Sequence, residues 1–231
     1  MKIKKLMICL LFLTGLAMVI YPVASQLVIR HKSSNTMEDY KAAMSEISTE
    51  KLNTLKEELH QHNSGISENT PVSNTKKAAI SNEFFVDDGV IGYVEVPAID
   101  VLLPIYDQDT ERNLTKGAAH VPYTSFPIGG KGTHTVITAH SGLSGSNMFK
   151  ELDKVVIGDT FYLHILDETL AYEVDAINVV DPDNFEYIRI VDGEDYATLL
   201  TCTPYGINTF RLLVRGVRVP YSETIENTQN Q

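Results

Sequence analysis

The sequence predicts a mainly β domain that follows an N-terminal membrane anchor and a helical extension. From about residue 89, short runs of β-branched and aromatic residues alternate with turn residues, and few segments show helical periodicity. Before this part, a long uncharged apolar run lies near the N-terminus, and residues 35–63 carry apolar residues at helical spacing. Many short strands with little helix predict a closed β-barrel or a β-sandwich.

The N-terminal apolar run extends from Leu6 to Leu27 and is interrupted by Pro22 and Gln26. It is long enough to cross a bilayer, which requires about 20 residues. An alternative is a signal peptide that is cleaved near residue 24 or 25. We favour an uncleaved anchor over residues 1–30, because the apolar region of a signal peptide usually has only ~7 to 15 residues. The lysines among the first five residues favour an inside N-terminus. We therefore predict a single-pass protein of the cell membrane whose remaining chain is extracellular.

Residues 31–82 are predicted to form a helical extension and a linker. The helix covers Asn35 to Asn63, has a slip in its apolar stripe near Ser48, and can be capped by Asn35 or Thr36. The polar stretch from Asn63 to Asn82 predicts a mobile linker. The apolar stripe comprises Tyr40, Met44, Ile47, Leu52, Leu55 and Leu59.

Residues 83–221 contain the predicted strands, and residues 222–231 form a short polar tail. Proline and glycine residues separate the strands. Short helices are predicted at Asn147–Leu152 and at Thr110–Lys116. The strands before the last hairpin are predicted at Gly92–Val96, Val101–Ile105, Thr133–Ala139, Thr160–Ile165 and Leu170–Val180.

The last predicted element of the domain is a β-hairpin. Two β-rich runs, Ala197–Thr201 and Phe210–Val219, flank a segment in which Thr203–Gly206 suits a type I turn. If the strands pair symmetrically about the turn, Cys202 lies opposite Arg211. Directly opposed residues have Cβ atoms about 5 Å apart, so this thiol and this guanidinium can act on one bound group.

Cys202 is the candidate nucleophile. The other cysteine, Cys9, lies in the apolar run, so the exported part has one thiol, which is either buried and inert or reactive. A strand end beside the permanent cation Arg211 favours the thiolate and therefore reactivity. His140 offers a base, because the alternating strand from residue 133 to 139 ends there in a Ser-Gly turn. An imidazole is thereby predicted at the rim of a sheet.

These residues together resemble the signature of the sortases, which are membrane-anchored cysteine transpeptidases of Gram-positive bacteria. TLLTC ends at Cys202, Arg211 follows nine residues later, and His140 lies in an upstream strand-end loop. The resemblance covers about residues 89–221, is strongest to class C, the pilin-polymerising sortases, and implies an eight-stranded closed β-barrel. The stretches that carry it are GYVEVPAIDVLLPIY (Gly92–Tyr106), GGKGTHTVITAHSGL (Gly129–Leu143) and TCTPYGINTFRLLVRG (Thr201–Gly216).

The resemblance implies roles for three residues. Cys202 would attack a peptide carbonyl, and His140 would protonate the departing amine and leave a thioester on the enzyme. Arg211 would hold the substrate backbone or stabilise the oxyanion. Thr201 and Ser141 neighbour the cysteine and the histidine and are candidate supporting donors, although satisfied strand and turn residues are an equal alternative.

The implied partners are a protein with a C-terminal LPXTG-like sorting signal, cut between Thr and Gly, and an amine acceptor. For class C the acceptor is a pilin lysine. Class C sortases typically carry a lid with an Asp-Pro-aromatic motif before the barrel, but residues 63–82 contain no such tripeptide. We therefore expect a lid that is absent, altered or very mobile. Pilin polymerases also usually end in a second membrane segment, where this chain has its polar tail.

Three alternatives stay open at this point. The protein could be a housekeeping sortase that attaches surface proteins to a cell-wall precursor, and one N-terminal anchor fits that function. It could be a hydrolytic cysteine peptidase with the same acyl-enzyme. It could also be a non-enzymatic anchored adhesin or scaffold in which Cys202 is buried. The last interpretation leaves the joint occurrence of His140, TLLTC and Arg211 without a cause.

Composition excludes other classes of function. The formal net charge is −11 and all 30 acidic residues follow Met37, so nucleic acid is a poor partner. We expect no cofactor and no metal site, because the histidines lack ligand spacing. His60 and His62 are two residues apart, which does not place both on one helical face. The glycine-rich stretch Gly129–Thr133 opens a strand instead of a helix and is predicted to be a turn, not a phosphate-binding loop.

Overall fold

The protein is described by a computed structural model that covers residues 2–66, 89–142 and 148–221. Most of the predicted linker, for which we expect a lid that is absent, altered or very mobile, and the polar tail at 222–231 lie outside these residues. Element labels follow chain order. The helices are α1 (Lys2–Glu46), α2 (Thr49–Ser64) and α3 (Glu111–Leu114). The strands are β1 (Val90–Val96), β2 (Val101–Tyr106), β3 (Ala118–His120), β4 (Thr133–Thr138), β5 (Thr160–Ile165), β6 (Glu168–Val180), β7 (Asp195–Thr203) and β8 (Phe210–Val219).

The N-terminal helix differs from the prediction in its limits. One helix, α1, runs from the apolar segment through Glu46, so Asn35 and Thr36 are interior residues and do not cap a new helix. The predicted slip near Ser48 corresponds to the break between α1 and α2. Ser48 is the N-cap of α2, and its side chain accepts a hydrogen bond from the backbone N–H of Lys51. An 18-residue stretch of α1, Lys4–Tyr21, has a mean hydropathy of 1.8 and is compatible with a membrane anchor.

The apolar stripe of the extension packs on the barrel. Tyr40, Met44 and the three leucines of α2 are buried in the core, and Ile47 is partly buried against it. The Tyr40 hydroxyl donates to the Ile91 carbonyl (2.8 Å) and accepts from the Leu166 N–H (2.8 Å), although the ring is only 2% exposed. The extension is therefore part of the folded domain.

Eight strands close into a barrel in the order β1-β2-β3-β4-β7-β8-β6-β5. The closed eight-stranded barrel is thereby confirmed. Most neighbouring strands are antiparallel, but β2 pairs in parallel with β3, and β4 pairs in parallel with β7. Because β4 and β7 run in the same direction, their C-terminal ends meet at one rim of the barrel.

Three predicted elements need correction. The sequence did not predict β3, which has only three residues, Ala118–His120. The helix predicted at Asn147–Leu152 is wrong: residues 148–151 form a turn that leads into a 3-10 helix at Leu152–Lys154. Met148 has a φ of +36°, which an α-helix does not allow. The helix predicted at Thr110–Lys116 is present as the shorter α3.

Candidate active site

The parallel pairing of β4 with β7 places His140 beside Cys202. The register runs from Thr133 opposite Asp195 to Thr138 opposite Leu200. It continues beyond the end of β4, because the Ala139 N–H donates to the Leu200 carbonyl at 3.2 Å. In the same register Ala139 lies opposite Thr201, and the next pair places the backbone of His140 next to that of Cys202. The loop after one strand and the end of the other therefore meet at the same rim.

Arg211 joins this rim from the other side of β7. Cys202 and Arg211 are Cα partners in the antiparallel pairing of β7 with β8, which confirms the predicted register. Arg211 is also the Cα partner of Val180, the last residue of β6. The turn differs from the prediction by one residue, because the N–H groups of Ile207 and Asn208 donate to the Pro204 carbonyl at 3.0 and 2.9 Å.

The imidazole of His140 has one buried ring nitrogen that makes no hydrogen bond to the described residues. Its Nε2 atom is buried and has no hydrogen-bond partner within the described ranges 2–66, 89–142 and 148–221. The backbone of the residue is fixed, since its carbonyl accepts from the Phe149 N–H at 3.1 Å. A buried polar atom without a partner costs free energy, so each such atom calls for an explanation, and a catalytic role is one of the recognised explanations. A substrate that reaches Nε2 would therefore have no hydrogen bond from the described residues to displace.

The thiol and the guanidinium are both accessible. Cys202 is a free cysteine and is partly buried. Nη1 of Arg211 donates to the carbonyls of Asn208 (3.3 Å) and Phe210 (3.2 Å), which holds the side chain at the end of the hairpin. In the described part of the chain no acidic side chain forms an ion pair with this guanidinium. Among the described residues its positive charge is therefore not neutralised by an ion pair, and it can act on the thiolate or on a bound anion.

Thr201 and Ser141 bond to the protein. The Thr201 hydroxyl is buried and donates to the Ala139 carbonyl at 2.9 Å, so it ties β7 to the residue before His140. The Ser141 hydroxyl donates to Oδ1 of Asn208 at 3.3 Å, so it ties the His140 loop to the β7–β8 turn. Both hydroxyls therefore favour the structural alternative, in which they hold the two loops together.

The His140 loop and the β7–β8 turn also make van der Waals contacts, in addition to the hydrogen bond between Ser141 and Asn208. Gly142 has a φ of +124°, and a Cβ atom there would lie 2.9 Å from the Tyr205 ring. The ammonium group of Lys150 lies 5.3 Å from the centre of the same ring. Glycine is needed at position 142 because of both the backbone angle and the close approach of Tyr205.

The remaining histidines of the barrel have structural partners. His120 Nε2 bonds the Ser125 carbonyl at 3.0 Å, His134 bonds Thr198 and the Arg189 carbonyl, and His164 bonds Thr169 and Glu95. Among the residues that the structure describes, no group of His, Cys, Asp and Glu could hold a metal ion. Gly129–Thr133 leads directly into β4, as the predicted turn does.

Sequence reasoning missed the connection between β6 and β7, residues 181–194, which starts beside the candidate site. It carries a short 3-10 helix, Glu186–Ile188, and the exposed aromatic residues Phe185 and Tyr187. Its length was a usable signal, because connections longer than about 12 residues between strands are frequently functional. Exposed aromatic side chains in such a connection strengthen that indication.

Comparison with known proteins agrees with this geometry. A family profile described as the Sortase domain matches residues 94–219, which is more than half of the chain. Among solved structures, Sortase C of Streptococcus pneumoniae is 44% identical with a TM-score of 0.74, and the match covers 81% of this chain and 97% of that one.

Two further relatives support the same conclusion. Sortase C1 from Streptococcus agalactiae is 36% identical with a TM-score of 0.76, and the match covers 81% of this chain and 100% of that one. Sortase A of Bacillus anthracis is 27% identical over 161 residues, which are 70% of this chain and 75% of the relative. The chain therefore belongs to the sortase family and is a cysteine transpeptidase.

Proposed function

We propose that Cys202, His140 and Arg211 perform the transpeptidase reaction. The observation that carries this assignment is the strand register, which brings the three residues to one rim from β7, the end of β4 and β8. Two observations on the described residues support it: Nε2 of His140 is buried and has no hydrogen-bond partner there, and the Arg211 guanidinium has no acidic partner there. No other cysteine lies in the described barrel, since Cys9 belongs to α1.

The reaction starts with the thiolate of Cys202, which attacks the carbonyl carbon of the scissile peptide bond. His140 gives a proton to the departing amine, so the bond breaks and a thioester remains on the enzyme. Arg211 stabilises the negative charge that develops on the carbonyl oxygen. An incoming amine then loses its proton to His140 and attacks the thioester, which forms the new amide bond and releases Cys202 as the thiolate.

The substrate is a protein with an LPXTG-like sorting signal that is cut between Thr and Gly, and the acceptor is the lysine amine of a pilin subunit. Two similar structures support this choice. That of Streptococcus pneumoniae Sortase C concerns pilin substrate specificity, and that of a Group B Streptococcus Sortase C is described as pilus-related, at 44% and 41% identity to this chain.

A second candidate is attachment of surface proteins to a cell-wall precursor. The relatives in Bacillus anthracis and Listeria monocytogenes that favour it are named Sortase A, and each is 27% identical to this chain. Their identity is lower than that of the class C structures, so pilin polymerisation is the first proposal. The two functions share the acyl-enzyme and differ only in the amine.

The protein acts at the outer face of the cell membrane. The apolar part of α1 is the single span, and the barrel that α1 leads into is extracellular. The apolar stretch Lys4–Tyr21 and the lysines that precede or begin it support this topology. Substrates that carry sorting signals would meet the enzyme on that side.

The test is intact-mass analysis of the full chain in detergent, mixed with an LPXTG-type peptide. We expect an adduct with the mass of the peptide up to Thr, absent in Cys202→Ala and present in the matched control Cys9→Ala. Addition of a lysine-bearing pilin or of a cell-wall precursor amine should discharge the adduct, and the faster of the two identifies the acceptor. Release by water alone would indicate a peptidase. A thiol that forms no adduct and resists a small alkylating agent would refute the assignment of Cys202.

A further inference from the structure

The β6–β7 connection, residues 181–194, forms a wall beside the candidate site. It begins after Val180, the Cα partner of Arg211. One cleft of about 720 Å³ is lined by residues 181–186 and Arg189, and a second cleft of about 290 Å³ is lined by Phe185 and residues 188–190. Because Phe185 and Arg189 line both clefts, the clefts adjoin, and the first is lined by Asp181, the residue that follows the Cα partner of Arg211. The second cleft is completed by Ile66, Tyr123, Thr124 and His134.

This wall has little hydrogen bonding to the barrel. Within the residues that the structure describes, residues 182–193 are joined to the rest of the domain by one ring contact, between Phe185 and Tyr123 at 5.9 Å, and by one hydrogen bond, from His134 to the Arg189 carbonyl. At the end of the connection the Glu194 carbonyl accepts from the N–H groups of Gly132 and Thr133 at 2.7 and 3.2 Å. The other hydrogen bonds of the connection are local. They join Asn184 to Asp181, Glu186 to Asn184, Ile188 to Phe185 and Glu194 to Val191.

His134 is built to hold this wall. Its side chain projects from β4 and the residue is only 1% exposed. Nδ1 lies 2.8 Å from the Arg189 carbonyl oxygen and Nε2 lies 2.7 Å from the Thr198 hydroxyl. A carbonyl can only accept, so Nδ1 carries the proton and Nε2 accepts from Thr198. Burial lowers the pKa of His134 to about 4, so this neutral tautomer is the form present at neutral pH.

We propose that His134 is a positioning residue for the substrate, which holds the β6–β7 connection against the barrel through the Arg189 carbonyl and so shapes the cleft that receives the peptide. The inference rests on the proposed function, because the peptide is the substrate assigned there. His134 precedes His140 by six residues along β4, which corresponds to about 20 Å. The residue therefore acts on peptide binding and not on the reacting atoms.

The test compares two variants that each keep one hydrogen-bonding position. In His134→Asn the amide nitrogen can replace Nδ1 and still donate to Arg189. In His134→Gln the amide reaches the position of Nε2, keeps a partner in Thr198 and loses the bond to Arg189. His164→Asn is the control. His164 lies on β5, which is four strands from β4 in either direction around the barrel, and it bonds Thr169 and Glu95.

Steady-state kinetics of the full chain in detergent, with an LPXTG-type peptide and propylamine as acceptor, give the first readout. We expect His134→Gln to raise KM about tenfold with kcat within about twofold, and His134→Asn and His164→Asn to stay close to the unsubstituted protein. Equal effects of Asn and Gln at position 134, or a fall in kcat with KM unchanged, would overturn the proposal.

Amide hydrogen exchange of residues 185–190 gives a second readout that needs no turnover. Faster exchange in His134→Gln than in His134→Asn supports the positioning role, and equal exchange overturns it. If the unsubstituted protein fails to process the peptide, that result counts against the proposed substrate, and the exchange measurement alone then decides the role of His134.

Discussion

Cys202 and Arg211 face each other across the β7–β8 pair as Cα partners near the turn of the hairpin. Opposed side chains in an antiparallel pair have Cβ atoms about 5 Å apart, which is the distance at which two groups can contact one carbonyl. The hairpin thereby fixes the spacing between nucleophile and cation within one local element. The third group, His140, depends on the pairing of β7 with β4.

Replacement of Arg211 should slow the chemical step. We expect Arg211→Ala to lower kcat by about 10²- to 10³-fold, because one stabilising contact to the oxyanion is lost. Arg211→Lys should recover only part of the loss, since an ammonium group cannot reproduce the planar fork of a guanidinium. Alkylation of Cys202 should persist in both variants, and Arg112→Ala in the exposed α3 is the control. A kcat unchanged in Arg211→Ala would remove the arginine from the reaction.

The Thr201 hydroxyl should contribute to stability more than to catalysis. Thr201→Val leaves the Ala139 carbonyl without its donor, so we expect the free energy of unfolding in urea to fall by about 1 to 2 kcal/mol. Thr138→Val is the matched control, because the structure gives that threonine no side-chain hydrogen bond within the described residues. Equal stability of the two variants would show that the hydroxyl bond is not worth a measurable amount.

The buried His134 should make the barrel sensitive to acid. Burial lowers the pKa of His134 to about 4, and the Arg215 guanidinium acts in the same direction while Asp175 opposes it. The unfolded chain takes up the proton near pH 6.5 and the folded chain only near pH 4, so stability falls as the pH drops through that window. The loss approaches roughly 3 kcal/mol below pH 4. Urea unfolding at several pH values checks this, and His134→Asn should remove this part of the pH dependence.

Removal of the Tyr40 hydroxyl should weaken the attachment of α1 to the barrel. Tyr40→Phe leaves the Ile91 carbonyl and the Leu166 N–H without this partner in a buried place, so we expect a loss of about 1 to 3 kcal/mol in the free energy of unfolding. Tyr123→Phe is the control, because that ring is 55% exposed. If both substitutions lower the free energy of unfolding by the same amount, the two hydrogen bonds of the Tyr40 hydroxyl do not contribute measurably to stability.

Local pattern was enough to predict much of the barrel. The β7–β8 register follows from symmetrical pairing about a proline- and glycine-containing turn, and the buried stripe of α1 and α2 follows from helical spacing. Ser48 shows the limit of such reasoning, since the slip in the stripe was visible but the capping geometry that ends one helix and starts another was not.

Long-range pairing was not available from local pattern. His140 and Cys202 lie 62 residues apart and come together through a parallel pair, which no turn sequence encodes. Strand β3 is a three-residue Ala-Ala-His segment whose pairing with β2 and β4 defines it, because so short a run has no alternation to detect. The role of the β6–β7 connection was not predicted, because its apolar residues follow neither the helical nor the strand period.

Because α1 is one continuous helix, the number of residues between its apolar part and Tyr40 sets the direction in which the rim of the barrel faces. An α-helix turns by about 100° and rises by about 1.5 Å with each residue, so the stretch from Tyr21 to Tyr40 spans about 29 Å. One residue inserted there would rotate the barrel about the axis of α1 by about 100° and would move it along that axis by only about 1.5 Å. Two chains with the same catalytic residues, but with α1 segments of different length before Tyr40, would therefore present the rim to different neighbours on the cell surface.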